Sequence, residues 1–163
     1  DGDRYYSRFV YTHSKVKLKG GRYINANYVL NSKYIASQAP LYHTISPFWD
    51  MIVEENVKLI VMLTKVVEGP RTKAMRYWPT SNHPLQTFDD EEFGEEDKWR
   101  VQLLEKSVFE DNILRRDLKI IRTEDNEERT VTQLQYIGWP DHGCPSEIPE
   151  VIALLFGVQE LGE

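Results

Sequence analysis

Ser46-PFWDMIVEENVKLIVM-Leu63 decides the architecture. Ser46 followed by Pro47 has the form of a helix N-cap with proline at the first helical position. Phe48, Met51, Ile52 and Glu55 then recur at helical spacing, which predicts a helix over 47–55. Lys58 to Leu63 is a compact β-branched and apolar run, read as a buried strand. A helix feeding a buried strand is the pattern of an α/β sheet protein.

Outward from this stretch, Tyr23–Leu30 and Tyr34–Ala36 read as short extended segments separated by the turn-prone Asn31-Ser32. Downstream, Trp99–Leu104, Leu114–Arg122 and Arg129–Tyr136 read as three strands. Glu124-Asp125-Asn126-Glu127 makes a hairpin turn between the last two, so an antiparallel meander is expected. Ser146 is placed to cap a helix from Glu147 to Glu160, with Ile148, Val151, Leu154, Leu155 and Val158 on one face. Asp89–Asp97 carries seven acids in nine residues. Such a run repels itself, which predicts a solvated loop; a cation site lacks the regular ligand spacing.

The 163 residues suffice for one domain with a core, and no internal repeat or long linker divides them. The net charge of -6 argues against a nucleic-acid partner. The single cysteine, Cys144, excludes an intrachain disulfide framework and suits a reducing compartment. The run near Leu59–Leu63 is too short to span a bilayer, so no membrane segment is expected here. No basic-then-apolar leader opens these residues. Asp1 reads as the start of a processed or excised piece.

Trp139-Pro140-Asp141-His142-Gly143 sets one carboxylate between a rigid proline and a free glycine, beside a large aromatic. Such a loop suits a mobile general acid, although an aspartate after proline also serves as a plain turn former. Lys73 lies beyond Glu68-Gly69-Pro70-Arg71, a turn that either presents cations to an anion or is simply solvated. Tyr5 and Tyr6 either stack on an aromatic ligand or cover core. His13, His43, His83 and His142 show no zinc-type spacing, so no metal is expected. Cys144 has no basic neighbour to make it a thiolate.

These strings together resemble the catalytic domain of the phosphotyrosine-specific protein tyrosine phosphatases, over essentially the whole chain and in that family's order. Asp3-Arg4-Tyr5 resembles its phosphotyrosine recognition loop. His13 to Leu18, Tyr23-Ile24-Asn25-Ala26-Asn27-Tyr28, and Tyr34 to Leu41 follow. Thr44 to Met51, Ile60 to Thr64, and Lys73 to Pro79 continue the series, and Trp139 to Gly143 is similar to the acid loop. The resemblance implies an α+β domain with a highly twisted mixed β-sheet flanked by helices. It implies hydrolysis of phosphotyrosine in protein substrates through a cysteinyl-phosphate, with no cofactor and no metal. By position, Asp141 is the general acid and then base. Tyr5 stacks on the phosphotyrosine ring. Ser7 stands where many members place an aspartate that grips the substrate backbone. Arg4, Glu68, Lys73, Trp139, Pro140 and Gly143 support the loops. Thr12, Ala39, Ala74 and Asp3 are further departures. A cytoplasmic location is expected, either of the protein or of the cytoplasmic domain of a receptor-type protein.

One family feature is absent from residues 1–163. No cysteine is followed six residues later by an arginine, so the Cys-x5-Arg phosphate loop is missing and with it the thiolate. These residues are therefore expected to form a partial domain, incomplete at its C-terminus. Alone they are expected to be inactive, to expose apolar surface and to fold poorly. The alternative is a truncated or pseudophosphatase domain that acts by binding. A dual-specificity relative fits less well, because Tyr5 and the Tyr23–Tyr28 block persist.

Overall fold

The computed structural model describes residues 13–68, 71–72, 74–90, 94–140, 143–144 and 148–162. A five-stranded mixed sheet lies at its centre, with strand order β3-β9-β8-β7-β6. These are β3 (Leu59–Met62), β6 (Leu85–Asp90), β7 (Glu95–Glu110), β8 (Ile113–Arg122) and β9 (Glu128–Tyr136). β7 to β9 form the antiparallel meander that the sequence predicts, β6 extends it by a strand that was not predicted, and β3 joins β9 in parallel. Two small hairpins stand apart from it: β1 (Ala26–Val29) with β2 (Tyr34–Ser37), and β4 (Val67–Glu68) with β5 (Arg71–Thr72).

Alternation along the strands gives each face its own helix. Ile60, Met62, Leu118, Ile120 and Val131 pack on the side of α1 (Ile45–Glu54), in one cluster with Phe48, Trp49 and Ile52. Ile113, Leu134 and Tyr136 turn the other way, onto Leu154 of α2 (Ile148–Leu161). The β8–β9 turn is held by Arg122, whose guanidinium pairs with Asp125 and Glu127, and Asn126 takes a left-handed φ of 56°. The first hairpin docks on the end of α1, where the Tyr28 hydroxyl donates to Glu55 Oε1 at 2.7 Å.

Three local expectations change. The helix begins at Ile45, so Ser46 and Pro47 lie inside its first turn, where the backbone N–H that proline lacks has no intrahelical partner anyway. Ser46 is not the cap. Its buried hydroxyl donates to Asp90 Oδ2 at 3.3 Å. Next, β3 is half-buried rather than enclosed. Ile60 and Met62 enter the core, but Val61 is exposed; among the described residues β3 is bordered in the sheet by β9 alone.

The third change concerns the acidic run. Asp89 and Asp90 end β6 and Glu95 begins β7, so the ends of the run are strand rather than loop. Asp90 is only 1% exposed. It pairs with Arg22 and with Lys98, at 3.0 Å to Nζ. Asp50 of α1 completes the cluster by pairing with Arg22 and accepting from the Trp99 indole at 3.1 Å. Two cations facing two carboxylates explain how acids enter this core. The predicted α2 runs one residue past its expected end at Glu160, and Glu147 and the proposed cap Ser146 lie outside the described residues. Leu155, expected on the buried face of α2, is exposed, as are Ile152 and Phe156.

Candidate active site

Because β3 and β9 run parallel, their C-terminal ends leave the sheet at the same edge, Met62 beside Gln135. Crevices at the carboxyl ends of parallel strands are where α/β sheets generally bind ligands. Two of the predicted functional segments leave from this edge. After β3 comes the β4–β5 hairpin, in which Glu68 is paired in register with Arg71. After β9 comes the Trp139–Gly143 segment. Gln135 ties the two exits together by donating from Nε2 to the Thr64 carbonyl at 2.9 Å.

The base of the second segment is fixed by packing. Ile137 N–H donates to the Asn112 carbonyl at 2.8 Å, which carries the chain past the end of β8. Trp139 meets the buried Tyr136 ring edge-on, with centroids 6.3 Å apart, and joins the cluster on α2. Gly138 is needed for this approach, since a Cβ there would fall 2.7 Å from the Tyr136 hydroxyl. Pro140 is exposed, and Gly143 has φ +93°, a conformation that strains residues with a side chain. Packing thus fixes the base of this segment, and Gly143 supplies a left-handed backbone position beyond it.

Of the predicted site residues, Trp139, Pro140 and Gly143 and the backbone of Glu68 are brought to this edge. Arg4, Tyr5, Ser7, Lys73 and Asp141 lie outside the described residues. Cys144 is exposed. Among the described residues no group of His, Cys, Asp and Glu side chains is arranged to hold a metal ion. A cavity of about 860 Å³ lies beside β3 between the first hairpin, α1 and α2. Apolar side chains such as Phe48, Ile52 and Leu155 line much of it, and none of the described candidates Trp139, Pro140 and Gly143 does.

Sequence reading missed a polar row beside the Gln135 tie. Arg116 of β8 is buried, donating from Nη1 to the side-chain oxygens of Gln133 at 2.8 Å and Gln135 at 3.0 Å. Its guanidinium lies 4.9 Å from the Trp78 ring. Gln133 donates in turn to Tyr77, whose hydroxyl pKa burial raises to about 12. A signal was present: Arg116 sits in register with the core residues Leu118 and Ile120, where strand alternation calls for an apolar side chain.

A family model described as protein-tyrosine phosphatase matches residues 1–162. Tyrosine-protein phosphatase 1 of Caenorhabditis elegans is 38% identical over 156 residues, covering 89% of this chain and 14% of the relative. Tyrosine-protein phosphatase 2 of Dictyostelium discoideum is 38% identical over 123 residues, covering 76% of this chain and 30% of the relative. The solved catalytic domain of human protein tyrosine phosphatase non-receptor type 18 superposes with a TM-score of 0.86 at 31% identity, covering 99% of this chain and 58% of that one. The same human phosphatase has been solved with a HER2 phosphopeptide, where the TM-score is 0.85, again at 31% identity, over 99% of this chain and 60% of that one. The chain thus spans less than a third of these curated relatives and under two thirds of the solved domains.

Proposed function

Because the chain belongs to the protein-tyrosine phosphatase family, we propose that the intact protein carrying it hydrolyses phosphotyrosine in protein substrates, with Asp141 as general acid and base. The thiolate of the family's phosphate loop attacks phosphorus and the bond to the tyrosyl oxygen breaks. Asp141 gives its proton to that oxygen, since a phenolate leaves poorly without one. The Asp141 carboxylate then takes a proton from water, which attacks the cysteinyl-phosphate and releases orthophosphate and the thiolate. Tyr5 stacks on the substrate ring, Ser7 faces the peptide backbone, and Arg4, Glu68 and Lys73 support the loops.

The observation that supports this reading is the shared exit of the Glu68 hairpin and the Trp139–Gly143 segment from the ends of parallel β3 and β9. An acid loop attached there, on a base pinned by Tyr136 and Trp139, reaches over ligand at the sheet edge. Phosphotyrosine peptides are bound by the non-receptor type 18 phosphatase, and we extend that substrate class to this protein. Residues 1–163 contain no Cys-x5-Arg, and we infer that without the thiolate they do not turn over substrate by themselves. We assign the activity to the cytoplasm. Among the described residues no helix is long and apolar enough to cross a membrane.

In the intact protein, Asp141→Ala is expected to lower kcat on a phosphotyrosine peptide by about 10²- to 10⁴-fold, the usual range for a general acid. Unchanged kcat removes Asp141 from the mechanism. Absence of turnover by the intact parent, with peptide binding retained, favours a binding-only domain.

A further inference from the structure

A small pocket of about 200 Å³ opens on the α1 side of the sheet, above Arg116. Three cations line it, Arg76, Lys106 and Arg116, together with Trp78, Thr80 and Gln135. No carboxylate does so among the described residues, and none of these three cations forms an ion pair there. Convergence is built into the sheet. A bulge at Leu104 shifts the β7 register by one residue and sets Lys106 directly opposite Arg116, which in turn lies opposite Gln133. Like charges face to face across a ladder are destabilising.

Arg116 is the costliest member of the set. It is buried, and its partners are two neutral amide oxygens and an aromatic face rather than an acid. Both amides are pinned with oxygen toward it, because Gln133 donates to Tyr77 and Gln135 donates to the Thr64 carbonyl. Its Nε and Nη2 have no partner among the described residues. Burial, reinforced by the charge of Arg76, pushes the Arg116 pKa down. A buried guanidinium without a counter-ion is unfavourable, and the missing charge is negative.

We propose that this pocket binds one phosphate-class oxyanion, held by the free guanidinium edge of Arg116 from the floor and by Arg76 and Lys106 from the rim. The volume fits: it equals roughly six or seven waters at ~30 Å³ each, room for a tetrahedral anion with some water. Guanidinium edges match phosphate oxygens in pairs, and the Thr80 hydroxyl adds a further donor. None of the described lining residues is among those assigned to phosphotyrosine hydrolysis.

The test uses the intact protein and the double variant Arg76→Gln/Lys106→Gln. Both positions are exposed, so the core under Arg116 is left in place. Thermal melting is followed against orthophosphate, against a capped neutral phosphoserine peptide, and against chloride at matched ionic strength. At least one phosphorylated probe is expected to stabilise the parent beyond chloride. Its apparent Kd is expected to weaken at least about tenfold in the double variant. Orthophosphate binding assigns the site to the free ion; binding of the peptide alone assigns it to a phosphorylated chain. Turnover of a phosphotyrosine peptide at low phosphate is expected to be unchanged in the variant. Equal stabilisation by chloride, equal affinity in parent and variant, or a joint fall in phosphate affinity and kcat/KM each overturns the proposal. The melting comparison stands whether or not the protein proves to be a phosphatase.

Discussion

Replacing Asp90 by asparagine removes one charge from the buried cluster at nearly constant volume. Asp90 is 1% exposed and faces Arg22 and Lys98, whose side chains are 5% and 19% exposed. Without it, Arg22 and Lys98 both depend more on the buried carboxylate of Asp50, where desolvation already raises the pKa against the pull of Arg22 and Lys98. Removing one partner of a buried pair costs about 3–5 kcal/mol. For a domain of this size 1 kcal/mol moves the melting temperature by about 2–4 °C, so a fall of about 6–20 °C is expected. Glu95 provides the contrast. It pairs with the same Lys98 at 3.2 Å but is 53% exposed, so Glu95→Gln should cost no more than about 1 kcal/mol. The assay is urea and thermal denaturation of parent, both single variants, Lys98→Met and the Asp90→Asn/Lys98→Met pair. Charge balance predicts that the pair is less damaged than the sum of its singles, by about 0.5–3 kcal/mol. If Asp90→Asn is no worse than Glu95→Gln, or if the pair is strictly additive, burial of a balanced cluster is the wrong account of this corner.

Two further predictions concern other parts of the fold. Gly138→Ala should cost about 1–3 kcal/mol by overpacking against Tyr136, and should lower turnover in the intact protein by shifting Trp139; an alanine neutral in both denaturation and turnover argues against a fixed loop base. The hydrogen bond from Tyr28 to Glu55, aided by burial and by the Glu55 charge, raises the Tyr28 pKa to about 12 from the usual 10. A folded-state pKa above the unfolded one gives stability that is complete below about pH 10 and is lost as pH rises through about 12. Tyr28→Phe should therefore be less stable near neutrality and should lose less between pH 10 and 12. Urea midpoints across that range decide it, and an unchanged decline rejects the contact. Tyr77, also at about 12, retains part of the decline in both proteins.

What could be read locally was read well. Apolar spacing marked α1 and α2, turn residues marked the β8–β9 hairpin, and extended stretches marked β7 to β9. The role proposed for Asp141 came from resemblance, because an aspartate after a proline has many uses and only its company of motifs narrows them. Other features were legible only in part. Arg116 in a core register was visible as an anomaly, but its meaning depended on which strands flank it.

The sequence by itself determined the family, most of the order of elements and the chemistry proposed for Asp141. Those rest on residue identity, turn preference and short-range periodicity, which act within a few residues along the chain. Tertiary structure alone decided that Ser46 serves Asp90 rather than the helix end, and that Asp90 leaves its acidic neighbours for a buried partner 68 positions away from it at Arg22. It also decided that a bulge at Leu104 sets Lys106 opposite Arg116. Each of these depends on register and neighbour choice across the sheet, and burial, which sets the cost of a charge, exists only once distant segments have packed.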